Sequence, residues 1–293
     1  MNENCDITLG LLGPDGTFTA EVGYNYVERR GLTPRIQWYK SIEDCFRAVE
    51  DSEVDRAVVP MLNSTADAGW VNQTLRGLRD NGIMIYDEQI LPIRHHLAAL
   101  PGVTLGEIEY IWSKDKAVQQ CSRYLADLGK DREKELEVEY TSSTAAATTR
   151  IKEGGLRTHA AIVSQRAVDL YGLEVLARDI QDDPRNKTRF IVISKQDHDS
   201  TGDDKTTILF EFKEVEDAGL LDRILHEFSR RGISLRYIQS LPKNGSLDDF
   251  TFYCDINGHR EGKYLKEAIE AVEKNVDLNY FKVLGSYPVY RKT

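Results

Sequence analysis

Along the first two-thirds of the chain, short apolar runs alternate with stretches in which apolar residues recur every three or four positions. Ile7–Leu12 reads as a strand and stops at Gly13-Pro14-Asp15-Gly16, a turn-forming string. The pattern then predicts a helix over 17–29, a strand over 35–39, a helix over 42–49 and a strand over 56–60. A loop over 63–69, a helix over 70–79 and strands over 83–91 and 96–100 follow. The rhythm repeats with strands at 110–112, 136–140, 160–163 and 188–194 and helices at 117–128, 144–152 and 165–171. Such alternation predicts an α/β fold with largely buried sheets. The strands near 83–100 have no helix between them, which predicts two α/β lobes joined by extended crossovers, with a cleft between.

The pattern changes after the polar, turn-rich stretch QDHDSTGDD at 196–204, which reads as a linker. Strands over 206–212, 233–241, 250–256 and 276–284 enclose helices over 218–230 and 264–272, with a turn at Lys243-Asn244-Gly245. The order βαββαβ is a ferredoxin-like plan. The expected domains are therefore 1–196 and 205–293. A four-stranded sheet of this kind leaves a face or an edge open, which suits pairing with a second copy.

Composition narrows the partners. Hydrophobic residues are 41% and charged residues 29%, an ordinary globular balance, and the net charge of −10 argues against nucleic acid and anionic membranes. A local cluster of cations and helix N-termini can still bind an anion. Cys5, Cys45, Cys121 and Cys254 are far apart in sequence and read as free thiols in a reducing compartment. MNENCDITLG has no basic region followed by a long apolar run, and no stretch is apolar enough to span a bilayer. A cytoplasmic location is expected.

Four segments can carry chemistry. In Gly13-Pro14-Asp15-Gly16-Thr17-Phe18-Thr19, a strand ends and a helix begins, so backbone N–H groups and two hydroxyls can face an anion; a capped tight turn is the plainer reading. Asn63-Ser64-Thr65 follows a strand end, the usual place for ligand contacts in an open α/β sheet. Ser142-Ser143-Thr144-Ala145 opens a helix, as a cap or as a carboxylate site. Asn186-Lys187-Thr188-Arg189-Phe190 opens a strand with three donors, and an Arg there is costly without a partner. Arg94, His95, His96, Lys114 and Lys116 add positive charge. His95 and His96 would point to opposite faces of a strand and not share a metal ion. No phosphate-binding or dinucleotide loop is present.

In this order the segments resemble the prephenate dehydratase family. The matching strings are GPDGTFT (13–19), VVPMLNS (58–64), STAAA (143–147) and AAIVSQRAVDLYGLEVLARDIQDDPRNKTRF (160–190). The C-terminal part resembles the ACT regulatory domain of that family, through EDAGLLDRIL (216–225) and SLRYIQSLPKNGSLDDFTFYCDINGH (234–259). The resemblance implies a two-lobed, periplasmic-binding-protein-like catalytic domain followed by an ACT domain. It implies decarboxylative dehydration of prephenate to phenylpyruvate in phenylalanine biosynthesis, with no cofactor and no metal. The catalytic residues it implies are Thr188, Arg189, Asn63 and Ser64. Thr17, Phe18, Thr19, Ser143, Thr144, Ala145, Phe190 and Lys114 would bind substrate. Ala218, Gly219, Leu220, Leu221, Gln239, Ser240, Leu241 and Pro242 would bind an amino-acid effector, L-phenylalanine by the family's habit, in a homodimer or homotetramer.

The chain departs from the family's pattern in three places. Leu62 stands where the family has Glu before Asn-Ser, and Ser113-Lys114-Asp115-Lys116-Ala117 where it has Ser-His-Pro-Gln-Ala. Gln239 and Leu241 replace the Glu and Arg of the family's Glu-Ser-Arg-Pro. A non-aromatising prephenate decarboxylase and a non-catalytic amino-acid sensor are the alternatives on the same scaffold.

Overall fold

The computed structural model describes residues 6–65, 69–130, 136–141, 143–213, 218–243, 246 and 248–291. Ser142, the first residues of the 216–225 motif and the Asn244-Gly245 turn lie outside them. The chain begins β1 (Ile7–Leu12), α1 (Phe18–Arg30), β2 (Pro34–Tyr39), α2 (Ile42–Glu50), β3 (Arg56–Asn63), α3 (Asn72–Asp80), β4 (Met84–Pro92), β5 (His96–Ala99). It continues β6 (Tyr110–Ser113), α4 (Asp115–Gln119), α5 (Ser122–Gly129), β7 (Glu137–Tyr140), α6 (Thr144–Gly154), β8 (His159–Val163), α7 (Gln165–Tyr171), β9 (Glu174–Ala177), β10 (Lys187–Ser194). The remainder is β11 (Asp204–Phe212), α8 (Leu220–Ser229), β12 (Leu235–Pro242), β13 (Phe250–Asn257), α9 (Lys263–Asn275), β14 (Leu278–Pro288).

Packing divides the chain into two compact units. One comprises Met1–Cys45, Val58–Val71 and Ile90–Phe190, the other Phe46–Ala57, Asn72–Gln89 and Ile191–Thr293. The strands form three sheets, ordered β2-β1-β3-β10-β4, β7-β6-β8-β5-β9 and β12-β13-β11-β14. In the first, β1 runs parallel to β2 from Ile7↔Pro34 to Leu12↔Tyr39. In the second, β6 is parallel to β7 and β8, and β5 is antiparallel to β8 and β9.

Three helices of the first unit are capped as their sequences dictate. Thr17 Oγ1 accepts from Ala20 N at 3.2 Å, Ser143 Oγ from Ala146 N at 3.0 Å and Ser164 Oγ from Ala167 N at 3.2 Å. Gly31, Gly155 and Gly172 close the same three helices in the left-handed conformation. The second sheet buries both faces by strict alternation: Leu97 and Ile162 enter one core, Ala98 and Ala161 the other. The expected continuous helix over 117–128 is broken at Gln120-Cys121. Asp182 supplies the reason: its carboxylate accepts from Ser122 Oγ at 2.7 Å and Arg123 N at 3.0 Å, giving α5 its own N-terminal cap.

In the second unit, the βαββαβ plan holds. Ile208, Phe210, Cys254 and Ile256 face α8 and α9, meeting Ile224, Phe228, Leu265 and Val272. Of the open face or edge expected of this sheet, the face is covered: Lys205, Thr207, Glu211 and Asp255 on it are buried. Residues of α3 and β4 in the same unit cover it. Lys205 Nζ lies 2.7 Å from Glu88 Oε2 and 3.2 Å from Asp255 Oδ2, and Arg79 Nη2 lies 3.0 Å from Glu211 Oε1. Lys282 Nζ donates to the Leu78, Arg79 and Asn81 carbonyls at the end of α3. Gly285, at φ +148°, makes this approach possible: a Cβ there would sit 2.2 Å from the Ile85 carbonyl oxygen. Edge strand β12 keeps alternate residues exposed. Burial pushes the Cys45, Cys121 and Cys254 thiols up to about 12, so they are inert packing groups.

Candidate active site

A cleft of about 370 Å³ in the first unit gathers the N-termini of α1 and α6, the end of β3, the start of β10 and α4 with its flanking residues Lys114 and Gln120. Of the expected site residues, Thr17, Phe18, Thr19, Asn63, Lys114, Ser143, Thr144, Thr188 and Phe190 line it. Ser64, Ala145 and Arg189 do not. Ser64 instead staples its loop to β10: Lys187 N donates to Ser64 Oγ at 2.9 Å, and Ser64 N to the Lys187 carbonyl at 2.8 Å. Ala145 is buried inside α6. Arg189 is buried, and strand alternation places it on the face of β10 opposite Thr188 and Phe190.

The centre of the cleft is an ordered hydrogen-bond chain. Asn63 Nδ2 donates to Thr188 Oγ1 at 2.7 Å and to Asn186 Oδ1 at 3.0 Å, while Asn63 Oδ1 accepts from Thr65 N at 2.9 Å. Thr188 is 8% exposed, and its oxygen already accepts from Asn63. Its hydroxyl proton is therefore free to point at a ligand. Ser143 accepts at its oxygen in the same way as a helix cap, so its proton is also available. Thr17 differs, since its hydroxyl already donates to the Leu12 carbonyl at 3.2 Å. The contribution of Thr17 is the helix end it caps, with the partial positive charge of the first backbone N–H groups.

The Gly13-Pro14 peptide is cis, and the loop it opens is fastened to α7. Arg166 grips both carboxylate oxygens of Asp15 at 2.8 and 2.9 Å, its guanidinium stacks 3.8 Å over Tyr24, and Ser164 Oγ donates to the Gly16 carbonyl. Burial raises the Asp15 carboxyl, but the Arg166 hydrogen bonds and the Gly16 N–H outweigh it and hold it below the usual range. The loop that presents Thr17 and Thr19 is thus kept in place by a charge-assisted fork.

Lys40, His95, Lys116 and Gln120 also line the cleft and were not among the expected site residues. The sequence marks His95 and Lys116 only as positive charges, and nothing local marks Lys40 or Gln120. His95 and His96 do point apart. His95 Nε2 contacts Gln120 Oε1 at 3.0 Å beneath the edge of Phe18, whereas His96 Nδ1 accepts from Asp179 N at 3.2 Å. Desolvation holds the His95 imidazole below its ordinary 6.5, outweighing the Gln120 hydrogen bond. A base whose pKa is depressed on folding contributes stability above the unfolded value and loses it as pH falls. The expected result is that His95, followed by ring NMR, stays neutral through pH 6.5 and titrates only below it; titration at or above 6.5 would contradict this environment.

In the second unit, five of the eight expected effector residues line one or other of two pockets that share Lys243. Gly219, Leu220 and Leu221 line one of about 230 Å³ with Phe212, Phe250 and Phe252. Leu241 and Pro242 line another of about 400 Å³ with Arg76 and Arg79. Ala218 is exposed, and Gln239 and Ser240 line neither pocket. Among the described residues no group of three or more His, Cys, Asp or Glu could hold a metal ion, and no helix is long and apolar enough to cross a membrane.

The family model described as prephenate dehydratase matches residues 9–198. The chain belongs to the prephenate dehydratase family. A member from Methanocaldococcus jannaschii, named prephenate dehydratase, is 31% identical over 281 residues, 94% of this chain and 96% of that one. A prephenate dehydratase from Arthrobacter aurescens, solved in complex with L-Phe, matches with a TM-score of 0.79 at 30% identity, covering 96% of this chain and 90% of that one. A structure described as a quorum quenching acylase matches with the same TM-score, 0.79, at 25% identity over 97% of this chain and 98% of that one. Fold alone therefore does not fix the chemistry, and the side chains of the cleft decide it. The family's Glu position is Leu62, which pairs with Trp70 in an isolated bridge and does not line the cleft.

Proposed function

We propose that the chain is a prephenate dehydratase of phenylalanine biosynthesis, and that the cleft of the first unit is its active site. The observation that carries this reading is the Asn63–Thr188 hydrogen bond of 2.7 Å in the lining of the cleft, in which the threonine oxygen accepts and its own proton is left to donate. Prephenate has two carboxylates and a ring hydroxyl. The C–C bond to the ring carboxylate breaks, carbon dioxide leaves, and the electron pair enters the ring. The C–O bond opposite breaks, and the departing oxygen takes a proton and leaves as water. Aromatisation drives the step, so the enzyme needs to position the groups and stabilise the leaving oxygen.

In this reading Thr188 donates to the leaving oxygen. A threonine is too weak an acid to protonate it alone, so its role is a preorganised donor with Asn63 setting its direction. The N-termini of α1 and α6, with Thr19, Ser143, Thr144 and Lys114, hold the carboxylates. Phe18 and Phe190 pack the ring. Ser64 and Arg189 position β10 and its loop, and Ala145 lets α6 pack closely.

The finer organisation belongs to the same proposal. Residues 1–196 form the catalytic domain and 205–293 an ACT domain. An aromatic amino acid, L-phenylalanine by analogy with the Arthrobacter aurescens protein, binds near Gly219, Leu220 and Leu221. The chain works in the cytoplasm as a homodimer or homotetramer. Product analysis tests the core of the proposal. Purified protein given prephenate is expected to release carbon dioxide and phenylpyruvate in equal amounts. A non-aromatic keto acid would point to the decarboxylase, and binding without turnover to the sensor. Titration calorimetry with L-phenylalanine tests the effector, and the absence of heat would remove it.

A further inference from the structure

The cleft has a one-sided charge lining. Lys40, Lys114 and Lys116 line it, and no Asp or Glu does, in a chain with 48 acidic and 38 basic residues. All three lysines are solvent-exposed, and none is in an ion pair among the described residues. Of the side-chain amide oxygens, Asn63 Oδ1 already accepts from Thr65 N and Thr65 Oγ1, and Gln120 Oε1 has one contact, with His95 Nε2. A ligand carboxylate entering the cleft therefore meets cations and helix N-termini. A ligand ammonium meets three like charges and no anion.

We infer that this lining makes the cleft selective for a dianionic keto dicarboxylate against its α-amino counterpart, with Lys40 and Lys116 as specificity-determining residues. The inference rests on the dehydratase reading and adds the substrate class within it. Prephenate has two carboxylates and a ketone. Arogenate has an ammonium where prephenate has that ketone, so one net negative charge is lost and one repelled group is added. The lysines sit at the exposed rim, where water and salt screen them. They therefore act mainly on capture and less on the chemical step.

The test compares kcat/KM for prephenate and arogenate at low and high ionic strength, in the wild type and in a Lys40→Gln/Lys116→Gln double variant. Calorimetric binding of both compounds is measured alongside. The wild type is expected to prefer prephenate by about tenfold or more, with the steeper loss of kcat/KM on adding salt. The double variant is expected to lose most of that preference through KM for prephenate, with its melting temperature retained because both side chains are exposed. Equal use of the two substrates by the wild type, or an unchanged preference in the double variant, would overturn the inference. Failure to turn over either substrate would overturn the dehydratase reading instead. The binding ratio would then judge the charge argument by itself, tighter prephenate binding supporting it and equal binding overturning it.

Discussion

Thr188→Val is expected to lower kcat on prephenate by about 10²–10⁴-fold, the range of a positioned proton donor, while KM changes little. Valine keeps the shape of threonine and removes only the hydroxyl. The helix ends proposed to hold the carboxylates are untouched, so ground-state binding is expected to survive. Thr188→Ser restores a hydroxyl without the methyl group and is expected to recover much of the rate. The substitution also strips Asn63 Nδ2 of an acceptor now 2.7 Å away, a loss of roughly 1–3 kcal/mol in a buried setting. Melting curves therefore accompany the kinetics. A folded Thr188→Val protein with kcat within threefold of wild type would remove the hydroxyl from the mechanism.

The largest expected effect on stability is at Lys205. Its side chain is 8% exposed and its ammonium lies between the side chains of Glu88, at 2%, and Asp255, at 3%. Thr207 Oγ1 donates to the second Asp255 oxygen at 2.7 Å, and Tyr290 N donates to Glu88 Oε1 at 3.2 Å. Lys205→Met leaves two carboxylates in a nearly dry site with no cation between them. Breaking a buried pair in this way costs about 3–5 kcal/mol. Urea unfolding of the second unit is expected to show that loss, and adding Glu88→Gln and Asp255→Asn is expected to recover much of it. A loss under about 1 kcal/mol would mean that water or another cation already compensates the pair.

Most of the architecture was legible because it is written in local periodicity. Ile7–Leu12 and α7 (Gln165–Tyr171) begin and end where the apolar pattern and the turn residues place them. What escaped depends on distant partners. The break between α4 and α5 is made by Asp182, 60 residues beyond Ser122, so no local signal at 117–128 could reveal it. β9 (Glu174–Ala177) is four residues long and is recognisable only through its pairing with β5.

The site shows the same division. Thr17, Asn63, Ser143 and Thr188 announce themselves as polar residues at strand ends and helix starts, and topology brings them to one cleft. Lys40 and Gln120 sit at the ends of unrelated elements and gain meaning only from the fold. Arg189 carries a signature-like position, yet the period of two along β10 turns it away from the cleft. The family resemblance supplied the reaction. The geometry separates residues that line the cleft from residues that hold those in place.

The most direct test of the central claim is turnover of prephenate by the wild-type protein with Thr188→Val assayed beside it. The predicted result is phenylpyruvate from the wild type and a loss of at least about 10² in the variant, with substrate binding retained. A folded wild type that binds prephenate and makes no phenylpyruvate would contradict the account.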